Sequence, residues 1–258
     1  MLPESHIIHD YETIWISDVH LGSKGAKAVE LLHFLSITDS KKLYLVGDII
    51  DCWRLRKRWY WPQEHNDVMQ KVMEKSRAGT EVIYIPGNHD DLIRQFVEHK
   101  FGEIKIVMDD IHITKNGKKI WVMHGDLFDS VIQHVRWLAF IGDGLYTILL
   151  GVNGVFNAIR RLFRLEYWSL SKFLKHKVKQ AVSFLSAFET GLMNETRKRG
   201  CDGVVCGHIH KAEMKLINGL IYANDGDWVE SKTALTESKD GSFSLINYDE
   251  LTRKRDNL

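Results

Sequence analysis

Five short polar clusters in this 258-residue chain carry the side-chain types of metal and phosphate chemistry. They are Asp18-Val19-His20, Gly47-Asp48-Ile49-Ile50-Asp51, Gly87-Asn88-His89-Asp90, His124-Gly125-Asp126 and Gly207-His208-Ile209-His210. Imidazole, carboxylate and amide oxygen together suit Mn, Fe, Zn or Co better than Ca. No cysteine belongs to the set, which argues against a structural zinc site. Seven such ligands are too many for one ion, whereas two ions sharing a bridging carboxylate would use them all. A lone Gly-Asp or Asp-X-His pair is a weak signal. Five clusters in order, each directly after an apolar run, are hard to explain without a ligand, because buried polar groups lacking partners are costly.

The apolar runs read as the strands that must position these groups. Residues 13–17, 42–46, 81–85, 119–123 and 203–206 are short, apolar and end at a polar cluster. Residues 27–36 and 64–78 have helical spacing between them. Strands alternating with helices predict an α/β fold, in which sites form where strands end at their carboxyl sides. Further strands are expected at 213–217, 220–222 and 242–247, with hairpin turns at Asn116-Gly117 and Asn218-Gly219.

Residues 128–199 break the alternation and read as a helical insertion or cap. Between Asp129 and Arg199 there are 11 Lys/Arg against 5 Asp/Glu, interleaved with many aromatic residues. The most apolar window, 137–156, contains Asp143 and four glycines, which makes it a poor membrane span. Its mixture of basic and apolar residues favours peripheral contact with an anionic membrane. Catalytic-core residues are then expected at 1–127 and 200–258. The chain as a whole is close to neutral, with a formal charge of +1, so no global field draws it to nucleic acid. Three cysteines without metal-ligand spacing, and a polar N-terminal segment unlike a signal peptide, read as a reduced cytoplasmic protein.

The ordered clusters resemble the calcineurin-like metallophosphoesterase superfamily over residues 12–126 and 201–247. The resemblance implies a four-layer α-β-β-α sandwich of two mixed sheets. It implies hydrolysis of a phosphoester by a hydroxide bridging two divalent ions, most simply Mn²⁺. Carried onto this chain, Asp18, His20 and His210 would hold one ion and Asn88, His124 and His208 the other, with Asp48 between them. Asn88 would also polarise phosphoryl oxygens. His89 would serve the leaving group, Asp90 would hold the His89 ring, and Asp51 and Asp126 would orient neighbours. Ser17 to Gly22, Gly47 to Asp51 followed by Trp53, and Asn224 to Glu230 are similar to the branch of UDP-2,3-diacylglucosamine diphosphatases of lipid A synthesis. Members of that branch generally carry Arg where this chain has His89, the residue of the wider superfamily.

That resemblance implies a nucleotide-linked lipid as substrate and release of UMP, on the inner face of the cytoplasmic membrane. Arg54, Arg58 and Trp59 would grip a diphosphate and stack on a base, and Lys172, Lys175 and Lys179 would add charge from the cap. A solvated basic stretch is the plain reading of residues 54–58. A phosphodiesterase or nuclease with a non-lipid substrate would use the same core, and a scaffold that kept the fold is a third reading. The apolar insertion favours the lipid, and the complete ligand set favours an enzyme.

Overall fold

The computed structural model describes residues 9–131 and 185–253. The chain divides into two compact units, Met1–Leu127 with Met193–Leu258, and Phe128–Leu192. Of the second unit, residues 128–131 and 185–192 are described, and the Phe128 and Phe188 rings meet edge to face at 6.1 Å. The window 137–156 and the expected cap lysines Lys172, Lys175 and Lys179 lie outside the described residues.

Among its described residues the first unit contains twelve strands: β1 (His9–Ile16), β2 (Thr38–Val46), β3 (Glu81–Ile85), β4 (Lys100–Phe101), β5 (Ile104–Ile106), β6 (Asp110–Ile113), β7 (Lys119–Val122), β8 (Gly203–Cys206), β9 (Glu213–Ile217), β10 (Leu220–Asn224), β11 (Thr233–Glu237) and β12 (Phe243–Asn247). Its helices are α1 (Ala28–Ile37), α2 (Cys52–Lys57), α3 (Gln63–Arg77) and α4 (Tyr248–Arg253), together with helical residues 193–198. Seven strands form one sheet in the order β12-β11-β1-β2-β3-β5-β4, and five form a second in the order β6-β7-β8-β10-β9. Parallel pairing joins β1 to β2, β2 to β3, β7 to β8 and β8 to β10.

Side chains along the central strands alternate between two cores, because successive residues of a strand point to opposite faces. Ile14 and Ile16, Leu43 and Leu45, and Val82 and Tyr84 pack with Leu31, Phe34, Val68 and Val72 of α1 and α3. Their neighbours Trp15, Tyr44, Val46, Ile83 and Ile85 pack instead with Ile120, Val122, Val205 and Ala223 of the second sheet. The outer face of that sheet is closed too: Trp121, Val204 and Tyr222 are buried, and the Arg199 guanidinium carbon lies 4.3 Å from the Trp121 ring centre. This is the expected mixed α/β arrangement of two packed sheets with helices. Each of the large buried side chains contributes about 1.5–3 kcal/mol, and together they fix where the strands end.

Strands β4, β5, β6 and β11 and helices α2 and α4 go beyond the sequence reading. Strand β11, Thr-Ala-Leu-Thr-Glu, has all five residues buried and therefore lacks the apolar–polar alternation that marks a half-exposed strand. Helix α2 lies within the basic stretch and is started by Asp51, whose carboxylate accepts from the Arg54 N–H at 3.0 Å.

A polar tie crosses between the sheets at the far end of β11. The fully buried Glu237 carboxylate accepts from Thr13 Oγ1 (3.0 Å), His112 Nε2 (2.8 Å) and the Lys115 N–H (2.6 Å). Glu237→Ala leaves those donors buried without an acceptor and should destabilise the fold by ~3–5 kcal/mol. Urea denaturation measures this, and a loss under about 1 kcal/mol would contradict the tie.

Candidate metal centre

Five strand ends deliver the candidate ligands: β1 runs into Asp18 and His20, β2 into Asp48, β3 into Asn88, β7 into His124, and β8 into His208 and His210. Among the described residues, eight non-glycine residues have positive φ, and five are Asp18 (51°), His20 (54°), Asp48 (53°), His208 (69°) and His210 (53°). That conformation is strained for a side-chain-bearing residue and persists where surrounding structure enforces it, commonly at functional sites. Here the enforcement is visible. The Asp18 N–H donates to Gly47 O (3.0 Å), the His20 N–H to Asp48 O (2.8 Å), and the Trp228 N–H to Asp18 O (3.1 Å). Two glycines make the space. A Cβ on Gly47 would strike the His124 ring, and one on Gly87 would strike the Asp48 carboxylate and lie 2.6 Å from His124 Nε2.

The side chains meet as two groups of three. Asp18, His20 and His210 offer ligand atoms all within 4.8 Å of one another, and Asp48, His124 and His208 do the same. In the first group His210 Nε2 lies 3.0 Å and His20 Nε2 3.8 Å from Asp18 Oδ1. In the second His124 Nε2 lies 3.4 Å from Asp48 Oδ1. The other Asp48 oxygen, Oδ2, is 3.8 Å from His20 Nε2, so this carboxylate faces both groups.

Several of these atoms are buried yet make no hydrogen bond among the described residues: Asp18 Oδ1, His20 Nε2, Asn88 Oδ1 and His124 Nε2. Leaving one such atom unmatched costs about 1–3 kcal/mol, so four in one place call for a bound group. The ring orientation agrees. His124 Nδ1–H donates to Val46 O at 2.8 Å, so Nε2, on the Asp48 side, is the nitrogen that a cation would take in place of a proton. The donor set of nitrogen, carboxylate and amide oxygen therefore fits divalent cations.

Charge points the same way. Among the protein groups alone, burial lowers His20 and His124, but the Asp18, Asp51 and Asp48 carboxylates outweigh it, raising His20 to about 9 and His124 to about 10. Burial raises Asp18 and Asp48, yet His210 and His124 respectively hold both below the usual carboxylate range. The site thus attracts positive charge, as protons or as metal. Below those raised values the imidazoles carry protons that a cation must displace. Mn²⁺ binding at neutral pH should therefore release protons and tighten as pH rises. Calorimetry in buffers of different ionisation enthalpy measures the release, and none at pH 7 would contradict the electrostatics.

The expected support of His89 is corrected by the structure. Asp51, not Asp90, is the carboxylate at the ring: His89 Nδ1 lies 3.1 Å from Asp51 Oδ1. Asp90 turns back into the loop, where Oδ1 accepts from the Gly87 N–H (2.5 Å) and Oδ2 from the Ile49 N–H (2.9 Å) and Tyr84 hydroxyl (2.6 Å). Asp126 pairs with Arg94 at 2.5 Å. His20, Asp51 and His89 also lie within one another's reach, but Asp51 is engaged by the Arg54 N–H and by Arg54 Nε at 3.3 Å.

Of the expected substrate residues, Arg54 therefore adjoins the site through Asp51. Arg58 and Trp59 are exposed just past α2. Trp53, which the sequence names only within a similar stretch and without a role, stacks on the His89 ring with centroids 4.3 Å apart and remains 42% exposed. The signal for it was its place one residue inside a helix begun by Asp51.

The family model described as Calcineurin-like phosphoesterase matches residues 12–212, more than half of the chain. Among curated proteins, the UDP-2,3-diacylglucosamine hydrolase of Blochmanniella pennsylvanica is 28% identical over 219 residues, covering 79% of this chain and 81% of that protein. The hydrolase of the same name from Wigglesworthia glossinidia brevipalpis is 25% identical, covering 93% and 95%. That of Neisseria meningitidis serogroup B is 24% identical, covering 83% and 88%.

Proposed function

This chain belongs to the calcineurin-like phosphoesterase family and is a metal-dependent phosphoester hydrolase, and on that premise we propose that it cleaves the diphosphate of UDP-2,3-diacylglucosamine or a closely related nucleotide-linked lipid, releasing UMP. The observation that carries the reading is the convergence of six candidate ligands in two groups of three, with buried atoms of Asp18, His20 and His124, and of Asn88 in the loop after β3, lacking a hydrogen bond among the described residues. The relatives' names and their coverage of 79% and 93% of this chain favour this substrate. Asp18, His20 and His210 would hold one ion and Asn88, His124 and His208 the other, with Asp48 shared; Mn²⁺ is the first choice, with Fe, Zn or Co as alternatives. When bound, two such ions lower the pKa of water and neutralise phosphoryl charge.

The chain's own residues supply the rest. Asp51 accepts from His89 Nδ1–H and so orients the ring; in its doubly protonated form the ring would give the Nε2 proton to the leaving oxygen and keep the Nδ1–H on Asp51. Trp53 covers one face of the His89 ring and His20 meets it edge-on at 4.7 Å, so the ring has one settled orientation. Asp90 closes the Gly87–Asp90 turn that carries Asn88 and His89, and so acts on the chemistry through the backbone. Arg54, Arg58 and Trp59 would contact the diphosphate and base, and the 128–199 segment, with Lys172, Lys175 and Lys179, would serve as a cap that meets acyl chains and an anionic membrane. No helix among the described residues is long and apolar enough to cross a membrane. The basic and apolar residues of the 128–199 segment are what favour a peripheral position on the cytoplasmic face of the membrane.

The test is a product assay with Mn²⁺ on UDP-2,3-diacylglucosamine, bis-nitrophenyl phosphate and single-stranded DNA. Release of UMP with the highest kcat/KM for the first supports the reading. Preference for either of the others would replace the lipid with a non-lipid phosphodiester. Co-sedimentation with anionic vesicles at low salt checks the membrane contact, and no binding there removes it.

A further inference from the structure

Beside the cation ligands lies a buried carboxyl that the chemistry above leaves unused. Asp225, directly after β10, is fully buried. Its Oδ1 is 2.6 Å from Ser17 Oγ, and the same Ser17 oxygen is 2.7 Å from Asp18 Oδ2 and 3.2 Å from Gly226 O. Its Oδ2 has no hydrogen-bond partner, and no cationic side chain pairs with it, among the described residues.

A count of hydrogens exposes the difficulty. A serine hydroxyl has one proton to donate, yet three acceptor oxygens surround Ser17 Oγ. Asp18 Oδ2 also takes the His208 N–H at 2.7 Å, so it is an acceptor throughout. Were Asp18 and Asp225 both anionic, one of the two short contacts would lack a hydrogen. Two carboxylates would then share one hydroxyl in a water-poor core.

We propose that Asp225 is held as a neutral carboxylic acid whose O–H donates to Ser17 Oγ, so that the single Ser17 proton is committed to Asp18 and Asp225 acts as a positioning residue for that cation ligand. Ser17 and the His208 N–H together pin Asp18 Oδ2, and the opposite oxygen, Oδ1, is thereby turned toward His20 and His210. Burial pushes the Asp225 carboxyl well above the ordinary range, against the pull of the Ser17 contact, and the Asp18 charge adds to the rise. The backbone locks the pieces in register. The Asp225 N–H donates to Cys206 O at 3.1 Å, Thr233 Oγ1 donates to Asp225 O at 2.8 Å, and Asn224 Nδ2 donates to Gly207 O at 2.6 Å. The inference rests on reading Asp18 as a cation ligand.

Two measurements on the full chain test it. The first is Mn²⁺ affinity by calorimetry for wild type, Ser17→Ala, Asp225→Val and Asp225→Asn. Ser17→Ala and Asp225→Val should bind Mn²⁺ about 10–100-fold more weakly. Asp225→Asn, whose amide donates from the same place without charge, should restore the wild-type affinity. Equal weakening by Asp225→Asn and Asp225→Val would show that a negative charge mattered and overturn the proposal, as would wild-type affinity in Ser17→Ala. The second needs no metal: the infrared carbonyl stretch of a protonated carboxylic acid should be present at neutral pH and vanish in Asp225→Asn. Its absence from the wild type overturns the neutral acid, whereas a wild type that shows the band and binds no Mn²⁺ overturns the ligand reading of Asp18 instead.

Discussion

Asp48→Asn should lower turnover by at least ~10³-fold, because it removes the one carboxylate that faces both groups of ligands. Asp48 Oδ1 lies 3.4 Å from His124 Nε2 and accepts from the His89 N–H at 2.7 Å, while Oδ2 lies 3.8 Å from His20 Nε2. The amide keeps the shape but can present only one oxygen and no charge. A catalytic cation supplies several kcal/mol of transition-state stabilisation, and each 1.36 kcal/mol is about tenfold in rate. Metal content should fall along with rate. Steady-state kinetics beside elemental analysis of the purified variant measures both. Near-wild-type turnover would mean that Asp48 bridges nothing.

His89→Ala should lower kcat by ~10²–10⁴-fold, the usual worth of a positioned proton donor, and leave metal content intact. The two variants therefore separate holding the cations from serving the leaving group. Asp51→Asn offers a finer test, since one Asp51 oxygen lies 3.1 Å from His89 Nδ1 while the other lies 3.5 Å from His20 Nδ1. It should cost less than His89→Ala and add little in the double variant, because residues acting as one unit are not additive. Loss of metal in His89→Ala would move the ring into the ligand set. Full additivity with Asp51→Asn would detach it from that carboxylate.

The parts of this site that could be read from sequence are those in which residue type and position coincide. Asp18, Asp48, Asn88, His124 and His208 each follow a buried strand, and strand ends are legible as the end of an apolar run. Their meeting needs only that parallel strands present the same end to the site, which β1–β2–β3 and β7–β8 do. Support for those ligands was harder to read, because hydrogen bonds choose partners by distance in space. Asp90 is adjacent to His89 in sequence, yet its carboxylate satisfies the Gly87 and Ile49 amides, a local bond that short acidic side chains form readily. Asp51, far off in the chain, reaches the ring instead. Ser17 and Asp225 are separated by 208 positions and follow strands of different sheets, β1 and β10, so their hydrogen bond has no signal in either segment alone. The left-handed backbone at five ligand residues leaves no mark in composition either, since Asp and His tolerate it without requiring it. In the fold, β11 escaped notice because all its residues are buried, which erases alternation.

Crystals of the full chain grown with Mn²⁺, measured at the manganese absorption edge, test the central claim most directly. Two anomalous peaks should appear about 3.5–4 Å apart, one against Asp18, His20 and His210, the other against Asn88, His124 and His208, with Asp48 touching both. A single peak, or peaks remote from these seven side chains, would contradict the account.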